Sequence, residues 1–124
     1  MLRDGLASLE EYFVLSEATE NIDQSWFGFL LTVKENSVFT RDQIVHKLES
    51  KGIPTRMLFA GNLIKHPCFD EMRKEGKGYR MVVELKVTDQ IMHNTFWVGV
   101  YPVMNNNAID YIIETMTVFI YNKK

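Results

Sequence analysis

Apolar residues recur along the chain at two spacings, and these predict both helices and strands. Near the start they are spaced by four, three and four residues, which is typical of one face of a helix of about three turns (Leu2, Leu6, Leu9 and Phe13). Aromatic and β-branched residues dominate Trp26 to Lys34 and Thr95 to Tyr101, which is typical of strands. Alternation in the first of these strands predicts one apolar face, formed by Phe27, Phe29, Leu31 and Val33.

The helix that follows the first strand carries boundary residues at both ends. Thr40 at the N-cap and Gln43 three residues later form a capping box. Gly52 suits the residue after the C-cap, and Pro54 prevents the helix from continuing. Its buried side is predicted to be formed by Ile44, Val45 and Leu48.

Shorter elements are predicted in the second half of the chain. A short helix covers Pro67 to Lys74, whereas Tyr79 to Leu85 is compatible with either extended chain or helix. Thr88 suits the N-cap of a short helix that ends at Asn94. The asparagines at 105–107 suit the N-cap of a last helix, whose apolar stripe follows the 3.6-residue period (Ile109, Ile112, Ile113, Met116, Phe119 and Ile120).

This order of elements predicts an α/β fold of the two-layer α+β kind. Helices would pack against a small, mainly antiparallel sheet of about three strands. The 124 residues fit one domain, because a chain of this length can bury roughly two-thirds of its unfolded surface. With 46% hydrophobic and 24% charged residues, the composition is that of a folded globular protein.

Charge and composition argue against several classes of partner. The formal net charge is −2 and no basic stripe is present, so no nucleic-acid partner is expected. No run of about 18 apolar residues occurs, so no membrane span is expected. The single cysteine, Cys68, excludes an internal disulfide and fits a reducing compartment. These observations predict a soluble, cytoplasmic protein.

The residues alone provide no catalytic constellation and no metal site. His46, His66 and His93 are scattered, and no cluster has metal-ligand spacing. Cys68 is interpreted as a small buried packing residue, which is the commoner role of a lone cysteine. Carboxylates such as Asp89 are interpreted as surface charges near helix starts. We therefore expect no catalytic residue, cofactor site or metal site in this chain.

The best candidate for ligand contact is the stretch from Ile53 to Pro67. It begins like a short buried strand and then breaks at Ala60-Gly61-Asn62, where positive φ costs little. Arg56 and Asn62 are its hydrogen-bonding side chains, and Phe59 lies between them. A polar and aromatic loop that leaves a strand often carries ligand contacts. The alternative is that Arg56 pairs with an acid and Asn62 caps a turn.

Three segments carry a family resemblance. They are Ser25-Trp26-Phe27-Gly28-Phe29, then Thr55-Arg56 with Leu58-Phe59-Ala60-Gly61-Asn62-Leu63, and then Asp89-Gln90-Ile91-Met92 with Asn94 to Pro102. In this order and spacing they resemble the C-terminal part of the DegT/StrS-type nucleotide-sugar aminotransferase superfamily. They are most similar to its CDP-4-dehydro-6-deoxyglucose 3-dehydrase branch, and the similarity spans essentially the whole chain.

The resemblance implies the small C-terminal domain of a fold-type I enzyme that depends on pyridoxal phosphate. Such enzymes are homodimers. The dehydrase branch uses the pyridoxamine form of the cofactor to remove the C3 hydroxyl of a CDP-4-keto-6-deoxyhexose, which leads to 3,6-dideoxyhexoses of O-antigen lipopolysaccharide. Some members carry an iron–sulfur cluster and take electrons from a reductase partner. The resemblance also implies that Arg56, Phe59 and Asn62, and then Tyr101, face the nucleotide-sugar substrate.

The family's large domain, which holds the cofactor and the catalytic lysine or histidine, has no counterpart in these residues. We interpret residues 1–13 as the tail of an interdomain helix and 25–124 as the small domain, and we expect the isolated chain to be inactive. Exposed apolar surface is then predicted along 2–13 and around 59–63, where the large domain would pack. Three alternatives stay open: an aminotransferase domain of the same superfamily, a free-standing α/β ligand-binding or regulatory module, and a structural dimerisation domain.

Overall fold

The computed structural model describes residues 1–123, which fold around a four-stranded sheet. The strands are β1 (Phe13–Leu15), β2 (Gly28–Val33), β3 (Thr55–Met57) and β4 (Thr95–Gly99). Their order in the sheet is β1-β2-β4-β3, and each neighbouring pair is antiparallel. The predicted small antiparallel sheet is confirmed, with four strands in place of about three.

Five helices accompany the sheet: α1 (Leu2–Gly5), α2 (Arg41–Ser50), α3 (Asp70–Glu75), α4 (Lys86–Asn94) and α5 (Asn106–Tyr121). Short 3₁₀ turns cover Ala7–Leu9, Leu63–Lys65 and Pro67–Phe69. Contacts join α1 to α5, α2 to α5, and α2 to both β3 and β4. None of the helices in this described part is long and apolar enough to cross a membrane.

One side of the sheet, the inner face, carries the hydrophobic core. Alternate residues of β2 and β4 are buried there, as the pleat of a strand requires. The apolar stripes of α2 and α5 belong to the same core cluster. The Phe13 ring centroid lies 5.6 Å from that of Phe39 and 6.4 Å from that of Phe96, which joins β1 to β4. The stripes predicted for these two helices are therefore confirmed.

Two helix starts have the predicted caps. The Thr40 hydroxyl accepts the Gln43 N–H at 3.3 Å, and the Gln43 side chain accepts the Thr40 N–H at 3.1 Å. Gly52 has φ +75° just beyond the end of α2, as predicted. The Asn105 side chain accepts the Ala108 N–H at 2.9 Å at the start of α5.

Residues 2–13 do not form the predicted single helix. α1 ends at Gly5, which lies so close to α5 that an added Cβ would come within 2.2 Å of Ile113. The run Phe13–Leu15 instead pairs with β2, because an aromatic and β-branched segment is stabilised more by cross-strand packing than by continuing a helix. The stripe is nevertheless buried (Leu2, Leu6, Leu9 and Phe13), so the predicted exposed surface along 2–13 is wrong.

Three local predictions are also corrected. Thr88 lies inside α4, which begins at Lys86 with Leu85 as an N-cap that makes no side-chain bond. Cys68 is exposed rather than buried, because the 3₁₀ turn that carries it lies on the surface. Phe27 precedes β2 and is 77% exposed, so it does not join the inner face. The ambiguous stretch 79–85 forms neither helix nor strand.

Candidate functional site

The outer face of the sheet carries two aromatic side chains and a cation, which we call the outer cluster (Phe27, Trp97 and Arg56). Trp97 on β4 is paired with Leu30 on β2 and with Arg56 on β3. Side chains opposite one another in register share a face, so these three lie in one row. The ring of Phe27 packs against that of Trp97 with 5.0 Å between centroids. Sequence reasoning missed Trp97, although it lies in a quoted family segment.

A glycine leaves room for the indole of Trp97 close to the backbone of β2. An added Cβ at Gly28 would come within 2.2 Å of the indole ring. The residue paired with Gly28 in register is Gly99, where an added Cβ would meet no atom within 4 Å. The close approach of backbone and indole is therefore specific to one of the two glycines.

The Arg56 side chain is exposed and available for a ligand. Within residues 1–123 it makes no hydrogen bond or ion pair, so the alternative that it pairs with an acid is not what the structure shows. A guanidinium presents a planar fork of donors that matches the oxygens of a phosphate or carboxylate. The outer cluster therefore combines aromatic rings with a guanidinium that has no partner within residues 1–123.

β3 leads into an exposed loop, residues 58–62, which we call the arch. Phe59 at its tip is 84% exposed and has φ +42°, and its N–H donates to the Met57 carbonyl at 2.9 Å. Gly61 has φ +63°, as expected for this glycine. A non-glycine residue in the left-handed region costs of order 1–3 kcal/mol and persists where its surroundings hold it. The predicted exposed apolar surface is present here.

Asn62 holds the arch from within. It is 4% exposed, its Oδ1 accepts the Ile64 N–H at 3.2 Å, and its Nδ2 donates to Asp89 at 2.8 Å. Its backbone N–H points at the Met92 sulfur, 3.3 Å away. Asn62 thus caps the turn Leu63–Lys65, which was the alternative interpretation. Because its polar atoms bond within the chain, the geometry gives Asn62 a positioning role instead of contact with a substrate hydroxyl.

Asp89 is more than the surface charge expected from the sequence. It lies in the first turn of α4, and its second oxygen lies 2.8 Å from the Lys65 ammonium. The hydrogen bond from Lys65, followed by that from Asn62, lowers the pKa of Asp89. The carboxylate therefore links α4 to both ends of the turn after the arch. In the sequence, this linking role was indicated only by the position of Asp89 at the start of the third family segment.

Tyr101 lies apart from the arch. β3 ends at Met57, which is paired with Phe96 near the start of β4, whereas Tyr101 follows the other end of β4. Tyr101 is exposed and lines a separate hollow with Trp26 and other residues near the N-terminus. The structure therefore brings Arg56 and Phe59 onto adjoining positions of β3 and the arch, but places Tyr101 at the opposite end of the sheet.

Among residues 1–123, no lysine has the surroundings of one that forms a Schiff base with pyridoxal phosphate. A lysine that forms a Schiff base is desolvated, or sits beside another cation, so that its amine is reactive. The lysines and histidines of the described part are instead exposed or partly exposed, and Lys65 and Lys86 are paired with carboxylates. Over residues 1–123, no three His, Cys, Asp or Glu side chains group as a metal site.

The chain is similar in sequence to known proteins. The profile of the DegT/DnrJ/EryC1/StrS aminotransferase family matches residues 1–117. The chain belongs to this family. Lipopolysaccharide biosynthesis protein RfbH of Salmonella typhimurium is 45% identical over 95% of the chain, and dTDP-4-dehydro-2,6-dideoxy-D-glucose 3-dehydratase of Saccharopolyspora spinosa is 42% identical over 96%.

The fold has the same relatives. The structure of E. coli GDP-4-keto-6-deoxy-D-mannose-3-dehydratase with bound hydrated PLP matches 93% of the chain with a TM-score of 0.74 and 25% identity. The chain covers 28% of that structure, and 26% and 24% of the two curated relatives above. It thus spans about a quarter of the length of these proteins. The predicted superfamily and the α+β sheet fold are both confirmed.

Proposed function

We propose that this chain is the C-terminal small domain of a nucleotide-sugar 3-dehydratase. The observation that carries the proposal is the 42% identity to the Saccharopolyspora 3-dehydratase over 96% of the chain. The full enzyme would remove the C3 hydroxyl of a nucleotide-linked 4-keto-6-deoxyhexose. The similarity to RfbH supports a role in making lipopolysaccharide sugars. A CDP-linked hexose is the proposed substrate because of the resemblance to the CDP-4-dehydro-6-deoxyglucose 3-dehydrase branch.

The cofactor belongs to the remainder of the enzyme in this proposal. The lysines of residues 1–123 lack the desolvated setting that a Schiff base needs, and this chain covers 28% of the E. coli 3-dehydratase that binds PLP. An iron–sulfur cluster and a reductase partner, where they occur, would also be served by that part. We expect the full-length enzyme to be a cytoplasmic homodimer.

The contribution of this chain would be one wall of the substrate cleft. Arg56 supplies a guanidinium without an internal partner, which suits the diphosphate of a nucleotide sugar. Phe59 supplies an exposed ring on a strained and anchored arch, which suits covering the sugar. Both residues are exposed on the described chain. The chain would thus bind and enclose substrate without performing the chemical step.

A chimera tests this proposal. In the Saccharopolyspora 3-dehydratase, the matching segment of 119 residues is replaced by this chain. If the chain is an equivalent domain, kcat/KM for dTDP-4-dehydro-2,6-dideoxy-D-glucose should stay within about a hundredfold of the parent value, since the catalytic pocket is unchanged. A chimera that is folded, loaded with cofactor and inactive would contradict the proposal.

A free-standing ligand-binding module is the second candidate. It is favoured by the burial of the apolar residues of 2–13 in the chain's own core, because the domain hypothesis predicted that they would be exposed. This candidate predicts tight binding of a nucleotide sugar by the isolated chain, whereas the domain proposal predicts weak or undetectable binding. Isothermal titration of the 124-residue chain separates the two.

A further inference from the structure

Helix α4 contacts the arch, and the family resemblance did not predict this contact. We propose that Asp89 is a positioning residue, which holds the arch in the strained form that presents Phe59 to the substrate. The part of this inference that concerns substrate rests on the proposed function. The part that concerns the arch rests on contacts within the chain.

Two side chains one turn apart on α4 hold the same point of the arch. The Asp89 carboxylate accepts the Asn62 amide at 2.8 Å, and the Met92 sulfur lies 3.3 Å from the Asn62 N–H. Met92 also packs on Gly61, where an added Cβ would come within 2.4 Å of its side chain. Residues three apart face the same side of a helix, so α4 presents one surface to the arch.

The arch has separate anchors elsewhere. The Arg41 guanidinium contacts the Met57 sulfur at the end of β3 and the Met92 carbonyl at the end of α4. On the other side, His66 Nε2 lies 2.5 Å from the Ala60 carbonyl oxygen. Loss of Asp89 should therefore loosen the Asn62 end of the arch without unfolding the sheet.

The magnitude of the effect comes from the buried amide. A partly exposed ion pair such as Lys65–Asp89 contributes little to stability by itself. Asn62, however, is 4% exposed, and removal of its acceptor leaves a buried donor without a partner. The arch can relieve this only by opening to water, which would release the positive φ of Phe59. Asp89 therefore acts on the site through Asn62.

Amide hydrogen exchange of the full 124-residue chain tests the anchoring. In Asp89→Ala, exchange at Asn62 and Ile64 should rise about tenfold or more, while the central amides of β2 and β4 change less than about twofold. Asp89→Asn should show a smaller rise, because it keeps an acceptor for Asn62. Gln90→Ala, at an exposed neighbouring position on α4, is the matched control and should leave the arch unchanged.

Kinetics of the chimera test the consequence for substrate. Asp89→Ala should raise KM for the nucleotide sugar about tenfold and change kcat by less than about threefold, since the arch contacts substrate and not the cofactor. Exchange that is unchanged or that rises uniformly over the sheet would overturn the anchoring. A local rise in exchange with an unchanged KM would overturn the link to substrate. If the unsubstituted chimera is inactive, the proposed function fails, and the exchange experiment still decides the role of Asp89 in the arch.

Discussion

Contacts between individual side chains form the outer cluster. Trp97 and Arg56 share a row of the sheet, and Phe27 reaches the indole from just before β2. The exposed apolar surface at Phe59 was predicted, because the resemblance implies a large domain that packs there. The buried role of Asn62 was not, because the acceptor that buries it, Asp89, is 27 residues away in sequence. Such a contact is visible only after the chain has folded.

The close approach of Gly28 to the indole of Trp97 leads to a prediction about a substitution at this glycine. Gly28→Ala should displace the Trp97 ring and destabilise the fold by about 1–3 kcal/mol, because the added methyl overlaps it. A shift in tryptophan fluorescence and urea unfolding measure the two effects. Gly99→Ala is the matched control, since nothing lies near its added methyl. Equal behaviour of the two variants would contradict the geometry of the outer cluster.

Arg56 provides a second prediction, in the chimera. Arg56→Ala should raise KM or lower kcat by about tenfold or more, because the proposed charge-assisted contact to substrate would be lost. Lys74→Ala removes an exposed cation from α3, away from the outer cluster, and should leave the kinetics unchanged. Unchanged kinetics in Arg56→Ala would remove this residue from the site.

Asp89 makes the stability of the chain dependent on pH. Its pKa is lowered in the folded state by Lys65 and then by Asn62, so the ionised form is favoured by folding. Its contribution should be complete above the ordinary carboxyl pKa of 3.8 and should vanish as the pH falls through the lower folded value. Urea unfolding of the chain and of Asp89→Asn should therefore differ at pH 7 and converge in acid. A difference that grows in acid would contradict this sign.

Helices and strands with strong local patterns were predicted well. α2 and α5 have caps and regular stripes, and β2 and β4 are aromatic and β-branched, so local preference and burial agree. β1 was missed because its first residue also completes the helical spacing of residues 2–13. The choice was made by pairing with β2, which no local pattern reports. The start of α4 was misplaced because Leu85 makes no side-chain cap.

The two threonines near helix starts give an element-scale prediction. Thr40→Ala should destabilise the chain by about 1 kcal/mol, since the N-cap bond to Gln43 is lost. Thr88→Ala should be neutral or slightly stabilising, because Thr88 lies within α4 and alanine is the better helix former. Chemical denaturation of both variants measures the difference. A larger loss for Thr88→Ala would show that α4 begins at the threonine after all.

The whole molecule combines a buried inner core with exposed aromatic side chains outside that core. Buried residues of α1, α2 and α5 belong to the core on one face of the sheet, and apolar residues of 2–13 join the same core. Exposed rings lie on the outer face and on the arch, which are the surfaces a larger enzyme would use. This distribution differs from the sequence-based expectation, in which residues 2–13 were to be exposed as well. The burial of that segment should let the isolated chain fold by itself.

A further prediction at this scale concerns the cofactor. The isolated chain mixed with pyridoxal phosphate should give the absorbance spectrum of the free cofactor, because no described lysine lies in a desolvated pocket. The chimera, prepared in the same way, should show the band of its parent. A new visible band in the isolated chain that a nucleotide sugar quenches would contradict the assignment of the cofactor to the rest of the enzyme.

The structure of the sugar that the chimera produces tests whether this chain is a domain of a nucleotide-sugar 3-dehydratase. Nuclear magnetic resonance and mass spectrometry of the reaction of dTDP-4-dehydro-2,6-dideoxy-D-glucose, run under the conditions in which the parent acts, identify the change at each carbon. We expect a product that lacks the C3 hydroxyl. A 4-amino sugar with the C3 hydroxyl retained, or untouched substrate with a folded and cofactor-loaded chimera, would contradict it.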